Sequence, residues 1–193
     1  MKRLMPRTLA KEQKKLMADL GAAVTKTVNV PAEPRTLFEA LCQAMSDRRG
    51  GRPVVLSIRR FPEALANSHT GLWLDLEDQD VIVVEENLSP DHQLVVLGHE
   101  LWHLHAGHCG HDIGGGAAVA ARAALKDRVD WPELARRVAA RSHSHQEDEV
   151  AAEGFGFLLG SRMNVWLAEP GAAPLDDVAR RIGNSLGYRG SQG

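Results

Sequence analysis

The chain of 193 residues is predicted to form a single α+β domain, in which helices surround a small antiparallel three-stranded sheet. Three observations predict this fold. Helical periodicity dominates both ends of the chain, short β-branched and alternating runs fill residues 53–86, and an H-E-x-x-H pattern follows them. The composition, 44% apolar and 25% charged, is typical of a globular domain.

Residues 1–50 are predicted to form two helices, each with its apolar residues on one face. The first is expected from Thr8 to Leu20, with Gly21 as its stop. The second is expected over Thr36–Met45, because Pro34 precedes it and Gly50–Gly51 is a typical helix end.

Residues 53–86 contain three short strand-like runs. They are Pro53–Ile58, Gly71–Leu76 and Val81–Val84, and the turn-like Glu77–Asp80 predicts that the last two form a hairpin. We expect Gly71–Leu76 to be an edge strand that could hold an extended peptide by strand addition.

The second half of the chain is predicted to be helical around the H-E-x-x-H pattern. A helix is expected over residues 90–106, then an insert over 107–143 with a helix at Pro132–Arg141. A helix rich in Glu is expected over residues 145–160, and residues 170–193 should form a C-terminal helix, Leu175–Leu186, and a tail.

The charge balance argues against a polyanionic partner. Lys plus Arg is 23 and Asp plus Glu is 25, so neither direct nucleic-acid binding nor attraction to an anionic membrane is expected. The longest apolar runs, such as Val81–Val84, fall far below the roughly 20 residues of a membrane helix. No secretory leader is visible, and two cysteines, Cys42 and Cys109, are typical of a reducing compartment, so the cytoplasm is expected.

The segment His99-Glu100-Leu101-Trp102-His103 has the H-E-x-x-H pattern on a predicted helix. His99 and His103 are about 40° apart around such a helix, so both imidazoles can reach one cation. Glu100 lies on the neighbouring flank, where it can act as a general base on a metal-bound water. A chance match is expected only about 0.03 times per shuffled sequence. The imidazole ligands point to Zn²⁺.

Two histidines need a third ligand, and the Glu-rich helix offers one. Glu149 and Glu153 are four residues apart and can face the H-E-x-x-H helix together. We predict that Glu149 binds the metal and that Glu153 orients a ligand histidine, although both could instead belong to a solvated helix face. Cys109 is an alternative ligand, as a thiolate.

The remaining histidines are weaker candidates. His105 is about 240° around the helix from His99 and should point elsewhere. His108 and His111 follow Gly107, which is predicted to end the helix, and are expected in a loop. The candidates for stabilising a developing oxyanion are His143, His145 and Tyr188.

These two segments together resemble the ImmA/IrrE family of zinc metallopeptidases. The resemblance covers Gly71 to Gly160 and depends on the H-E-x-x-H helix and on Glu149-x-x-Ala152-Glu153-x-Phe155-Gly156. It implies a zincin-like active-site helix crossed by a Glu-bearing helix, with His99, His103 and Glu149 on zinc and Glu100 as the base. It also implies a protein substrate, a helix-turn-helix transcriptional repressor.

The chain departs from the family pattern at three places. The insert over residues 107–143 is longer than usual, Gly156 replaces a typical Ala, and Leu159 leads to Gly160-Ser161 instead of Met-Pro. The alternatives to a peptidase are a non-catalytic or toxin-like regulatory module with a structural zinc site, and an amidohydrolase acting on a small molecule.

Overall fold

A computed structural model describes residues 6–61, 63, 69–76, 78–107 and 146–168 of the chain. This part of the chain has an α+β fold with four α-helices, a three-stranded sheet and one short 3₁₀ helix. The elements in chain order are α1 (Pro6–Thr27), α2 (Pro34–Arg48), β1 (Val54–Arg59), β2 (Gly71–Asp75), β3 (Asp80–Glu85), α3 (Pro90–Ala106), α4 (Gln146–Met163) and the 3₁₀ helix (Asn164–Trp166). The helices predicted at Pro132–Arg141 and Leu175–Leu186 lie outside the described residues.

The sheet is mixed, so the prediction of an antiparallel sheet is wrong for β1. The strand order is β1-β3-β2, and β3 pairs antiparallel with β2 but parallel with β1. The predicted hairpin of β2 and β3 is confirmed, and the N–H of Leu76 donates to the carbonyl of Gln79 at 2.9 Å across its turn. Alternation of side chains is the same in parallel and antiparallel ladders, so the sequence pattern does not show in which direction β1 pairs with β3.

The helix boundaries agree with the sequence pattern except at Gly21. Helix α3 spans the predicted residues 90–106 and ends at Gly107, whose φ of 62° is left-handed. Helix α1 continues past Gly21 to Thr27. Gly21 is buried, and a Cβ there would lie 3.3 Å from Met163 and 3.4 Å from Trp166, so this glycine allows close packing instead of ending the helix.

The hydrophobic core lies between the sheet and the helices. Helix α2 packs on β1, α3 packs on β2 and β3, and α4 packs along α3. The buried residues of the sheet that join this core are Val54, Trp73, Ile82 and Val84. Among the described residues, no helix is long and apolar enough to cross a bilayer.

A buried carboxylate at the start of β3 ties α2 to the sheet. The side chain of Asp80 is fully buried and pairs with Arg52 at 2.8 Å and Arg49 at 3.3 Å. It also accepts a hydrogen bond from the indole N–H of Trp73 at 2.9 Å. Arg49 in turn donates to the carbonyl of Leu104 near the end of α3, at 3.2 Å. This network therefore fixes the end of α2 against both β2 and α3.

We expect Asp80→Ala to lower the free energy of unfolding by about 3 kcal/mol, because it leaves the indole N–H of Trp73 buried without its acceptor. The matched control is Asp75→Ala. Asp75 also pairs with Arg52, at 2.8 Å, but its side chain is 49% exposed, so its loss should cost less than about 1 kcal/mol. Urea unfolding measures both values, and equal losses would contradict the role given to Asp80.

Candidate metal centre

Helix α3 places two imidazoles side by side at one end of the core. His99 and His103 lie one helical turn apart, and their Nε2 atoms are 3.0 Å from each other. Their ring centroids are 4.7 Å apart. Both rings thus direct the same nitrogen to the same point, as a shared cation requires.

Glu149, in the first turn of α4, completes a group of three donors. Its carboxylate oxygens lie 3.4 Å from Nε2 of His99 and 3.5 Å from Nε2 of His103. Two donors that each bind a tetrahedral zinc ion at about 2.0–2.1 Å lie roughly 3.3 Å apart. The three measured spacings are close to that value, so His99, His103 and Glu149 can hold a metal ion.

Glycines allow α4 to lie close enough to α3 for Glu149 to reach the histidines. A Cβ on Gly156 would lie 2.6 Å from the carbonyl oxygen of Val95, and one on Gly160 would lie 2.5 Å from the Val95 side chain. A Cβ on Gly98 of α3 would lie 3.0 Å from Cα of Gly156. At Gly156 the contact is shorter than real Cβ atoms show, so only glycine fits there without a shift of the α3 backbone.

Glu100 lies beneath the edge strand β2. It is buried, with 7% of its surface exposed, and its carboxylate accepts a hydrogen bond from the backbone N–H of Trp73. Gly71 leaves room for it, because a Cβ there would lie 2.8 Å from a Glu100 carboxylate oxygen and 2.5 Å from Val96. Glu100 therefore has one fixed hydrogen-bond donor and a confined position beside the histidine pair.

The ionisable groups of the site shift one another's pKa values. Burial raises the pKa of Glu100 above its ordinary value, although the charges of His99 and His103 oppose that shift. Hydrogen bonds from His103 and His99 hold the pKa of Glu149 far below the usual range. Burial lowers the pKa of His99, but the hydrogen bond to Glu149 and the nearby carboxylates together raise it above its ordinary value.

Of the other residues predicted for the site or near it, the structure describes Glu153 and His105. Glu153 is exposed, and its charge acts on His99; its role in orienting a ligand histidine stays a prediction. His105 points away from the metal group, as predicted, and its Nε2 lies 3.1 Å from Glu12 of α1. The remaining candidates lie outside the described residues: Cys109, His108, His111, His143, His145 and Tyr188.

Sequence reasoning missed two residues near the site, Gly71 and His69. Gly71 was predicted only as the start of a strand, and its contact with Glu100 depends on how β2 crosses α3. His69 precedes β2, is half-buried, and is close enough to Glu149 for that carboxylate to act on it electrostatically. A single histidine in a loop before a strand gives no pattern by which it could have been found.

We expect Gly156→Ala to weaken metal binding by at least about tenfold and to destabilise the protein by roughly 1–3 kcal/mol, because the new methyl group forces α4 away from α3. Gly154→Ala is the matched control on the same helix. Gly154 is exposed, and the nearest atom to its Cβ position is 3.7 Å away. Alanine there should stabilise the helix by about 0.5–1 kcal/mol. Zinc titration and urea unfolding measure both effects, and unchanged zinc affinity in Gly156→Ala would contradict them.

Metal affinity should fall as the pH is lowered. A metal ion needs a neutral imidazole, and the pKa of His99 lies above the ordinary value of about 6.5. Proton competition should therefore begin above pH 6.5 and reduce affinity about tenfold per pH unit below the His99 pKa. The low pKa of Glu149 keeps that ligand ionised throughout. Competition with a chelating dye from pH 5.5 to 8 checks this, and an affinity independent of pH contradicts it.

Comparison of the chain with protein-family models, with curated proteins and with solved structures found no match. The site is therefore characterised by its own chemistry: two imidazole nitrogens, one carboxylate and a neighbouring buried carboxyl group.

Proposed function

We propose that the chain is a zinc-dependent metalloendopeptidase that hydrolyses a peptide bond in a partner protein. The observation that supports this most strongly is the convergence of His99, His103 and Glu149, beside the buried carboxyl group of Glu100. Two imidazoles and one carboxylate are a typical donor set of catalytic zinc sites. Imidazole nitrogens favour zinc over magnesium or calcium, which prefer oxygen ligands.

Zn²⁺ held by these three residues would lower the pKa of a water molecule and polarise a substrate carbonyl. Glu100 performs the proton transfers. Its raised pKa brings its proton affinity closer to neutral pH, where a general base works best. Glu100 takes a proton from the attacking water as the new C–O bond forms, and returns it to the amine nitrogen as the C–N bond breaks. The N–H of Trp73 fixes one carboxylate oxygen during both steps.

The edge of β2 is suited to hold an extended substrate. The carbonyl of Thr70 and the N–H of Leu76 bond to the β3 side of the hairpin, so the backbone groups of Gly71, Trp73 and Asp75 point the other way. The N–H of Trp73 already reaches Glu100 on that side. A peptide that adds to this edge as a further strand would pass next to Glu100.

The proposed substrate is a helix-turn-helix repressor, as the resemblance to ImmA/IrrE peptidases implies, and the proposed location is the cytoplasm. The chain is not expected to bind nucleic acid or a membrane directly. A non-catalytic regulatory module with structural zinc is the alternative. Within the described ranges the site has three donors and the side chain of Glu149 is 56% exposed; this favours catalysis, because structural zinc sites are closed by four protein ligands.

Two substitutions separate catalysis from metal binding. Glu149→Ala should lose zinc, with affinity reduced more than about 100-fold, because it removes a direct ligand rather than an outer partner. Glu100→Gln should keep one zinc per chain and the melting temperature of the wild type, yet lower cleavage by at least about 10²-fold, the lower end of what a general base contributes. Metal analysis and cleavage of a repressor encoded beside this chain measure the two effects.

Glu147→Ala is the control, since Glu147 is exposed in the same first turn of α4. It should keep both zinc and activity. Cleavage that survives in Glu100→Gln would overturn the mechanism, and zinc retained at full stoichiometry in Glu149→Ala would assign the third ligand to another residue such as Cys109.

A further inference from the structure

Two of the three candidate metal ligands lie at helix ends. His103 is in the last turn of α3, and Glu149 is in the first turn of α4. The end turns of a helix have backbone groups without partners inside the helix, so these turns fray most easily. The glycines of α4 that bring it close to α3, Gly156 and Gly160, lie further along α4. The spacing between His103 and Glu149 therefore depends on contacts that hold the two helix ends.

Glu12 of α1 holds the last turn of α3. Its Oε1 atom lies 3.1 Å from Nε2 of His105, which is two residues after His103. The side chains of His105 and Glu12 are only 19% and 35% exposed, so water competes in part for this contact. The His105 ring also packs against the buried Trp102, with ring centroids 5.5 Å apart. The contact with Glu12 thus fixes the turn of α3 that carries His103.

Gln13, the next residue of α1, holds the beginning of α4. Its Nε2 donates to the carbonyl oxygen of Ala151 at 2.8 Å, and Ala151 is two residues after Glu149. A carbonyl oxygen has two lone pairs, so it can accept this hydrogen bond in addition to one from its own helix. Ala151 is buried. Because Glu12 and Gln13 are adjacent, one turn of α1 links the start of α4 to the end of α3.

We propose that Glu12 and Gln13 are positioning residues for the metal centre, which hold His103 and Glu149 at the spacing that a shared ion requires. This inference rests on the proposed function only through its metal site. The effect must be reciprocal: if the α1 contacts raise metal affinity, bound metal strengthens those contacts by the same factor. Contacts that only stabilised the fold would contribute equally with and without metal, and would leave the metal affinity unchanged.

The test measures the Zn²⁺ affinity of the full chain by competition with a chelating dye. Gln13→Met keeps the length of the side chain but removes the donor, and it should weaken zinc binding about 3- to 10-fold, as expected for the loss of one hydrogen bond. Glu12→Met should lose about as much. Glu12→Gln keeps an oxygen acceptor for His105 and should recover most of that loss. The double variant Glu12→Met/Gln13→Met should lose about 10- to 100-fold.

Gln43→Met is the matched control. It also removes a glutamine that donates a hydrogen bond, at 2.8 Å to Asp47, but this bond is exposed and lies within α2. Its zinc affinity should match that of the wild type. Leu16 and Leu20 of α1 are buried, so all variants should stay folded, which urea unfolding of the metal-free proteins checks. The single variants decide the test if the double variant is unfolded.

Amide hydrogen exchange gives a second measurement. Zn²⁺ should slow the exchange of α1 amides around Glu12 and Gln13 in the wild type, because of the reciprocal coupling. The double variant should lose this zinc-dependent protection. A purely structural role would lower protection in α1 equally with and without zinc.

The outcomes are distinguishable. If Gln13→Met and Glu12→Met bind zinc as tightly as the wild type, or no more weakly than Gln43→Met, the positioning role is wrong while the proposed peptidase is unaffected. The role is also overturned if the variants lose stability to urea but keep their zinc affinity. If the wild type itself binds no metal, the proposed function fails together with this inference. If the affinities follow the expected order but Glu100→Gln still cleaves the partner, the inference is supported and the peptidase mechanism fails.

Discussion

The close contact between α3 and α4 is the constraint on which the metal centre depends. Glu149 is the single donor that α4 contributes, and it meets the histidines only because the helix backbones approach closely. Gly98, Gly156 and Gly160 provide that approach, since a side chain at any of them would meet atoms of the other helix at 3.0 Å or less. Trp102 and Phe155, with ring centroids 5.4 Å apart, pack beside the contact. A close-packed core does not accommodate added side-chain volume without moving its elements. The spacing of the three donor atoms therefore depends on the absence of side chains at these glycines.

A second close contact, between α3 and β2, places the proposed base. Glu100 follows His99 in sequence but faces a different neighbour, because consecutive helical residues are about 100° apart. His99 therefore faces α4 while Glu100 faces the edge strand, where Gly71 leaves space for it. The Asp80 network also holds β2 in position, through the indole N–H of Trp73. Packing thus places the candidate metal ligands and the proposed base on two neighbouring faces of one helix.

Sequence patterns predicted those features of the site that depend on a single segment of the chain. The start and end of α3, the shared direction of His99 and His103, and the different direction of His105 all follow from helical periodicity and from Gly107. The four-residue spacing of Glu149 and Glu153 on one helix face predicts Glu149 as a candidate ligand. Its proximity to the histidines then needed the tertiary contact at Gly156.

The features that sequence reasoning missed depend on long-range packing. β1 pairs parallel with β3, and strand alternation does not encode that direction because it is the same in parallel and antiparallel ladders. Gly21 has the signature of a helix stop, yet it serves a contact with Met163. The sequence predicts Asp80 as a turn residue. Its carboxylate is instead buried, because Arg49 and Arg52 reach it from the end of α2.

The most direct measurement is the X-ray absorption spectrum at the zinc edge of the full chain loaded with one equivalent of Zn²⁺. The geometry of His99, His103 and Glu149 predicts two imidazole nitrogens and oxygen donors at about 2.0–2.2 Å, with no sulfur. A sulfur shell at about 2.3 Å would assign a ligand to a cysteine thiolate such as Cys109. A spectrum without the scattering pattern of two imidazoles would contradict the site altogether.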